Sequence, residues 1–176
     1  MKSAEEWLYS EETGREFSHC VRCRMPLLET DGPWLVNKDY FRGECVREYA
    51  ICRVCRDAVT EGLSDESKES VRSFLETAID WEGWLARAMM MPDATGRFAG
   101  CVSCGAKREQ VDGFGVSAYF DPGGSLVAGP LPLLICGGCV GRMTAGLSEE
   151  SRGVWKDFQE RYLTGFPGDS DYPGMF

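Results

Sequence analysis

Residues 52–67 read CRVCRDAVTEGLSDES, and residues 136–151 read CGGCVGRMTAGLSEES. Eight of these sixteen positions are identical, and the two stretches stand 84 positions apart. The correspondence continues at the same spacing, with Phe74 answering Phe158 and Glu76 answering Glu160. Upstream, Cys20 and Cys23 answer Cys101 and Cys104 at a spacing of 81. The three-residue difference falls between the cysteine pairs, where a loop tolerates insertion. The chain therefore reads as a tandem duplication, each half one structural unit.

The order of signals is the same in both halves. A Cys-x-x-Cys turn opens the unit. Strand-like runs follow at 34–41 and 114–120, bounded by Asp31-Gly32-Pro33 and by Asp121-Pro122-Gly123-Gly124, which are strong turn signals. Second strands are expected at 44–51 and 126–135, the latter confined to an edge or interrupted by Pro130 and Pro132. The second cysteine pair then opens short helices, predicted at 54–61 and 139–145. Gly62 and Gly146 stand where a helix C-terminus takes a left-handed residue. Ser64 and Ser148 read as N-caps, each followed by two acids suited to the positive end of a helix. Val71, Phe74, Leu75, Ala78 and Ile79 recur at helical spacing, as do Val154, Trp155, Phe158 and Tyr162; both stripes read as core packing.

Eight of the nine cysteines fall into four Cys-x-x-Cys pairs, and no basic-then-apolar signal pattern opens the chain. Two intervening residues let one tight turn present two thiolates to a single ion. Metal is the favoured reading over disulfides, with Cys20, Cys23, Cys52 and Cys55 closing one site and Cys101, Cys104, Cys136 and Cys139 the other. Four thiolates fill a tetrahedral zinc shell and leave no position for water, so such sites support structure and not hydrolysis. Two Zn2+ per chain are expected. Units of about 50 residues bury little apolar surface, and a bound ion supplies folding energy. His19, the one histidine, adjoins Cys20, but Gly100 stands in its place in the second half. Cys45 has no counterpart there and reads as a buried or half-buried thiol.

A knuckle, a β-hairpin and a helix whose first turn carries the last two cysteines: this order resembles the treble-clef zinc finger, over residues 18–63 and 99–147. The resemblance implies that Cys20–Cys23 and Cys101–Cys104 form knuckles while Cys52–Cys55 and Cys136–Cys139 open helices. It names a fold group and no function. Rubredoxin-type iron fits Cys104-Gly105 but not a following helix, and a cross-braced RING-like arrangement is disfavoured by the long gap from Cys55 to Cys101. The fold class is thus α+β, a small zinc-stabilised tandem repeat. Its expected parts are an N-terminal helical extension at 1–17, a first four-cysteine zinc unit at 18–80, a Trp/Met-containing linker at 81–98, a second four-cysteine zinc unit at 99–163 and a flexible tail at 164–176.

The net charge of −9 and pI of about 4.7 speak against nonspecific nucleic-acid or anionic-membrane binding. The first unit is less acidic, with Arg22, Arg24, Arg42, Arg47, Arg53 and Arg56 interleaved with acids, so a local nucleic-acid patch is the second hypothesis. The longest apolar stretch is broken by Gly129, Pro130 and Pro132 and is too short to span a bilayer. No phosphate-binding glycine loop, His-Glu-x-x-His or deaminase signature is present. The first hypothesis is a cytoplasmic, non-enzymatic module that binds a protein partner; a thiol or iron redox protein is the third. The run Met89-Met90-Met91 suits adaptable partner binding or packing between the units, and Phe166, Tyr172 and Phe176 could form a linear docking motif.

Overall fold

The computed structural model describes residues 2–163; the tail at 164–176, with its three aromatic residues, lies outside the described residues. The first hairpin is built from β1 (Trp34–Phe41) and β2 (Glu44–Cys52), paired antiparallel and joined by Arg42-Gly43. Both turn residues have positive φ, 51° and 84°, the twist that a two-residue turn needs to match the strands. The second hairpin pairs β3 (Gly113–Phe120) with β4 (Leu133–Cys136). β4 is shorter than expected, because the chain from Ser125 to Pro132 forms a loop that meets β3 at an isolated bridge, Leu126 opposite Phe120, with Val127 N–H donating to Tyr119 C=O at 2.8 Å. Pro130 and Pro132 explain the interruption, since neither can donate to a ladder.

The hairpins are not separate sheets. β1 and β3 pair antiparallel along their whole length, from Trp34 opposite Phe120 to Phe41 opposite Gly113, giving one four-stranded antiparallel sheet in the order β2-β1-β3-β4. Trp34 lies opposite Cys52, and Phe114 lies opposite Cys136, so the strands of the two halves correspond at a spacing of 80. On that correspondence Asn37 and Ser117 are equivalent residues, and they face each other across the central ladder. A local two-fold axis therefore passes between them. The Ser117 hydroxyl donates to Asn37 Oδ1, and Asn37 Nδ2 donates to the Tyr49 hydroxyl at 2.9 Å, so this buried polar centre is satisfied.

Each hairpin leads into a helix pair: α2 (Arg53–Glu61) and α3 (Asp65–Thr77) in the first half, α5 (Gly137–Thr144) and α6 (Glu149–Tyr162) in the second. Ser64 and Ser148 cap α3 and α6, as the sequence predicts. The two helix starts also meet. Ser64 N–H donates to Ser151 Oγ and Ser148 N–H donates to Ser67 Oγ, both at 2.9 Å, and the Ser64 and Ser148 hydroxyls stand 2.9 Å apart. Ser67 and Ser151 are fully buried. Two positive helix ends brought together would repel; Asp65, Glu66, Glu149 and Glu150 in the first turns offset this.

This meeting corrects the reading of Gly62 and Gly146. Gly62 has φ −70°, and Gly146 is not among the positive-φ glycines. Gly146 is needed for close approach, and Gly62 lies at a tight but milder contact. A Cβ on Gly146 would lie 1.9 Å from Ser70 Oγ and 2.9 Å from Ser70 Cβ, and one on Gly62 would lie 3.3 Å from Val154 Cγ1. Ser70 and Val154 are themselves 84 positions apart, so each half offers a glycine to the other half's helix. Gly146→Ala is expected to cost about 1–3 kcal/mol through overpacking, measured by urea unfolding; unchanged stability would show that α3 can retreat freely.

The segments ahead of the cysteine units also answer each other. Trp7-Leu8, Thr13-Gly14-Arg15 and Phe17 are matched by Trp84-Leu85, Thr95-Gly96-Arg97 and Phe98. Trp7 ends α1 (Ala4–Trp7), and Trp84 lies in α4 (Trp81–Met90), so residues 81–98 hold a helix and a following 3₁₀ turn (Ala94–Phe98). The first segment reaches into the second half: the Trp7 ring lies 5.8 Å from Tyr40 and 6.2 Å from Phe98, with Arg108 over it. Lys38, fully buried on β1, fastens the chain just after α1. Its ammonium donates to Tyr9 C=O and to Glu11 at 3.0 Å, and lies 3.6 Å from Glu48. Glu48 in turn accepts from Ser10 Oγ at 2.6 Å and Glu11 N–H at 2.8 Å. Among the described residues no helix is long and apolar enough to cross a membrane.

Candidate metal centres

Both knuckles are closed by backbone hydrogen bonds. Arg24 N–H donates to Cys20 C=O at 3.0 Å, and Cys20 N–H donates to Met25 C=O at 2.9 Å. Gly105 and Cys101 repeat this with Cys101 C=O and Ala106 C=O, each at 2.9 Å. The tight turn puts the residue after the second cysteine at positive φ, 65° for Arg24 and 74° for Gly105. Each knuckle also hydrogen-bonds an outer strand: Val21 N–H donates to Ala50 C=O and Val102 N–H to Leu134 C=O, both at 2.8 Å. This seats the knuckle beside the cysteine that ends the strand.

The eight cysteines gather in two groups, Cys20 with Cys23, Cys52 and Cys55, and Cys101 with Cys104, Cys136 and Cys139. Each group draws all four cysteines from one half of the chain. Within each group all sulfurs lie within 4.8 Å of one another; Cys23–Cys52 is 4.0 Å and Cys104–Cys136 is 3.7 Å. Tetrahedral zinc with Zn–S of about 2.3 Å places its sulfurs about 3.8 Å apart, whereas a disulfide is about 2.05 Å. The donor sets therefore fit a tetrahedral ion, and both clusters could hold one. In each, three cysteines are buried and the second knuckle cysteine, Cys23 or Cys104, is exposed.

Cys52 and Cys136 are the N-cap residues of α2 and α5, so Cys55 and Cys139 lie in the first helical turns. Cys52 N–H donates to Cys20 Sγ at 3.4 Å, and Cys136 N–H to Cys101 Sγ at 3.3 Å. Burial raises the Cys20 thiol, but the N–H groups of Cys52, Cys23 and Arg22 outweigh it and leave it lowered to about 7. Burial likewise opposes ionisation of Cys139, and Arg142, whose Nη2 donates to its sulfur at 2.9 Å, brings it down to about 7. Burial pushes Cys55 and Cys136 up to about 12. A metal would have to displace protons from such thiols, so affinity falls as pH falls.

The remaining candidates stand apart. His19 is exposed, its Nδ1 paired with the Ser18 hydroxyl at 2.8 Å, and it belongs to neither four-sulfur group. Cys45 is half-buried, facing Arg47 C=O at 3.5 Å and Glu48 at 3.8 Å. Burial, with the Glu48 charge beside it, pushes its thiol up to about 12, so it is neutral at physiological pH. Sequence reasoning missed Arg142, whose guanidinium faces the Cys139 sulfur; the signal was its place one helical turn beyond a Cys-x-x-Cys pair.

Fold and sites together define a mixed α+β protein with two tetracysteine centres compatible with metal binding. No family model matches the chain, and no curated protein and no solved structure matches it at a significant level.

Proposed function

We propose that the protein is a zinc-stabilised, non-enzymatic interaction module of the cytoplasm, built from two treble-clef-like units. The observation that carries the reading is the pair of closed four-sulfur cages. A set of four thiolates saturates a tetrahedral ion and leaves no open position for substrate or water. Zinc is favoured over iron because each cage is completed from the first turn of a helix. A reducing compartment suits eight free thiols committed to metal.

A protein partner suits the surface better than a nucleic acid. Met89 and Met90 at the end of α4 are each 85% exposed, and Leu28 is 67% exposed. Adjacent exposed methionines present adaptable apolar contact area. Two arginines of the first unit face inward or sideways: Arg47 is buried against Asp39 at 3.4 Å, and Arg56 turns to Tyr119 and Asp57. The test is affinity capture with the full chain and with a Met89→Ser/Met90→Ser variant, beside a salt-titrated RNA and DNA binding assay. Capture of a discrete protein that the variant loses is expected. Steeply salt-sensitive nucleic-acid binding, with no partner captured, would overturn the reading in favour of the nucleic-acid hypothesis.

A further inference from the structure

The duplication supplies an internal comparison for the surface around the first cysteine cluster. Arg22 and Arg24 flank Cys23 in the first knuckle and Met25 follows, while Arg53 and Val54 lie between Cys52 and Cys55. The four sulfurs of the cluster lie within 4.8 Å of one another, so these five residues gather around it. All five are exposed, as is Cys23; Met25 is 47% and Val54 64% exposed. The matching positions of the second half hold Ser103, Gly105, Ala106, Gly137 and Gly138. That knuckle closes with the same two backbone hydrogen bonds, Gly105 N–H to Cys101 C=O and Cys101 N–H to Ala106 C=O. The fold therefore does not need the larger side chains. One of them is held at a cost: Arg24 has φ 65°, where the second half has Gly105 at 74°. The left-handed region penalises a residue with a Cβ and suits glycine. An arginine kept there points to a use for its side chain. Among the described residues, none of Arg22, Arg24 and Arg53 forms an ion pair with a carboxylate.

We propose that this face docks an acidic peptide: carboxylates of the partner pair with Arg22, Arg24 and Arg53, and an apolar side chain between them covers Met25 and Val54. The inference rests on the reading of the chain as a protein-binding module and gives that reading a face and a chemistry. Charge complementarity carries it. Three exposed guanidiniums gather at one cluster of a chain whose net charge is −9. A guanidinium takes a carboxylate through two parallel, charge-assisted hydrogen bonds. A nucleic acid fits less well. The five positions include no aromatic ring on which a base could stack. Met25 and Val54 would face phosphate, and the acidic remainder of the chain repels a long polyanion.

The experiment is fluorescence anisotropy on the full chain with labelled synthetic probes: a peptide of repeating Asp-Glu-Leu, its Asp-Glu-Ser and Lys-Lys-Leu counterparts, and oligothymidine. Saturable binding of the Asp-Glu-Leu peptide is expected, with weaker binding of Asp-Glu-Ser and none of Lys-Lys-Leu. Arg22→Ser/Arg24→Gly/Arg53→Gly, which installs the second half's residues, is expected to weaken the Asp-Glu-Leu peptide by about tenfold, the combined effect of three exposed ion pairs. Met25→Ala/Val54→Gly should bring its affinity down to that of Asp-Glu-Ser. Arg24→Gly alone should weaken binding yet raise the midpoint of urea unfolding, a pairing that a merely structural arginine would not give. Where the added glycines loosen α2, Arg22→Gln/Arg53→Gln keeps the backbone and should still show most of the loss. Binding that the triple and glutamine variants leave unchanged, or a folded chain that binds no Asp-Glu-Leu peptide, would overturn the proposal. In the latter case, a protein captured by the unaltered chain and lost by Met89→Ser/Met90→Ser would leave the module reading standing. Steeply salt-sensitive binding of oligothymidine in preference to the peptide would overturn both.

Discussion

Removing one candidate metal ligand, as in Cys136→Ser, is expected to unfold both halves of the chain together, although Cys136 belongs to the second cysteine cluster alone. A structural tetrathiolate zinc site contributes on the order of 10–16 kcal/mol of apparent binding free energy, which doubles as folding energy. Whole domains of this size have a net stability of only about 5–15 kcal/mol. Losing one centre therefore removes as much as the fold has to spare. The loss is transmitted by the centre of the sheet. β4, which ends in Cys136, pairs with β3, and β3 pairs with β1 along its whole length. The serine contacts at the starts of α3 and α6 cross between the halves as well. Reading the sequence as two units, each with its own site, implies independent unfolding; the shared sheet implies one cooperative transition. Hydrogen exchange on the variant decides between them. Loss of protection in β1 and β2 as well as β3 and β4 is expected, and a first half that stays protected would show that the units stand alone.

Lys38→Met is expected to cost about 3–5 kcal/mol, the penalty for removing one partner from a buried ion pair. Lys38 is fully buried, and the side chain of Glu48 opposite it is only 9% exposed. Methionine would leave the Glu48 carboxylate facing apolar atoms, and the Tyr9 carbonyl would lose its donor. The segment before the first knuckle is the part that should loosen, which proteolysis at residues 10–16 would report alongside thermal unfolding. The same cluster gives a sign for acid sensitivity. Burial raises the Glu11 carboxyl, but Lys38, with Tyr40 and Lys2, holds it below its ordinary value. A depressed carboxylate stabilises the fold at neutral pH and loses that contribution as pH falls through its folded value. The variant should therefore show a flatter pH dependence below the carboxylate range. Unchanged stability at neutral pH would mean that the N-terminal segment is held without this cluster.

Much of the local structure was legible because it depends on short-range chemistry. The Cys-x-x-Cys spacing foreshadowed the grouping of the eight cysteines. Ser64 and Ser148 declared helix starts through their hydroxyls and the acids after them. Contacts between the halves were not legible from either half alone. Gly62 and Gly146 do stand at helix ends, but without the left-handed backbone; what requires glycine at 146 is the opposing Ser70, and Val154 crowds position 62 less severely. The one available hint of the central β1–β3 ladder was that neither WLVNKDYF nor GFGVSAYF alternates cleanly. Both strands are buried almost throughout, as central strands covered on two faces must be. The match between Trp7-Leu8 and Trp84-Leu85 was hidden by the different spacings within each leading segment. In the second half, that segment carries the extra Met89-Met90-Met91 run.

The most direct test is elemental analysis of the protein purified without added chelator or metal, with its fold checked by circular dichroism on the same sample. Two zinc ions per polypeptide are predicted, with no visible absorption. A folded chain carrying far less than two equivalents, or a coloured protein carrying iron, would contradict the account.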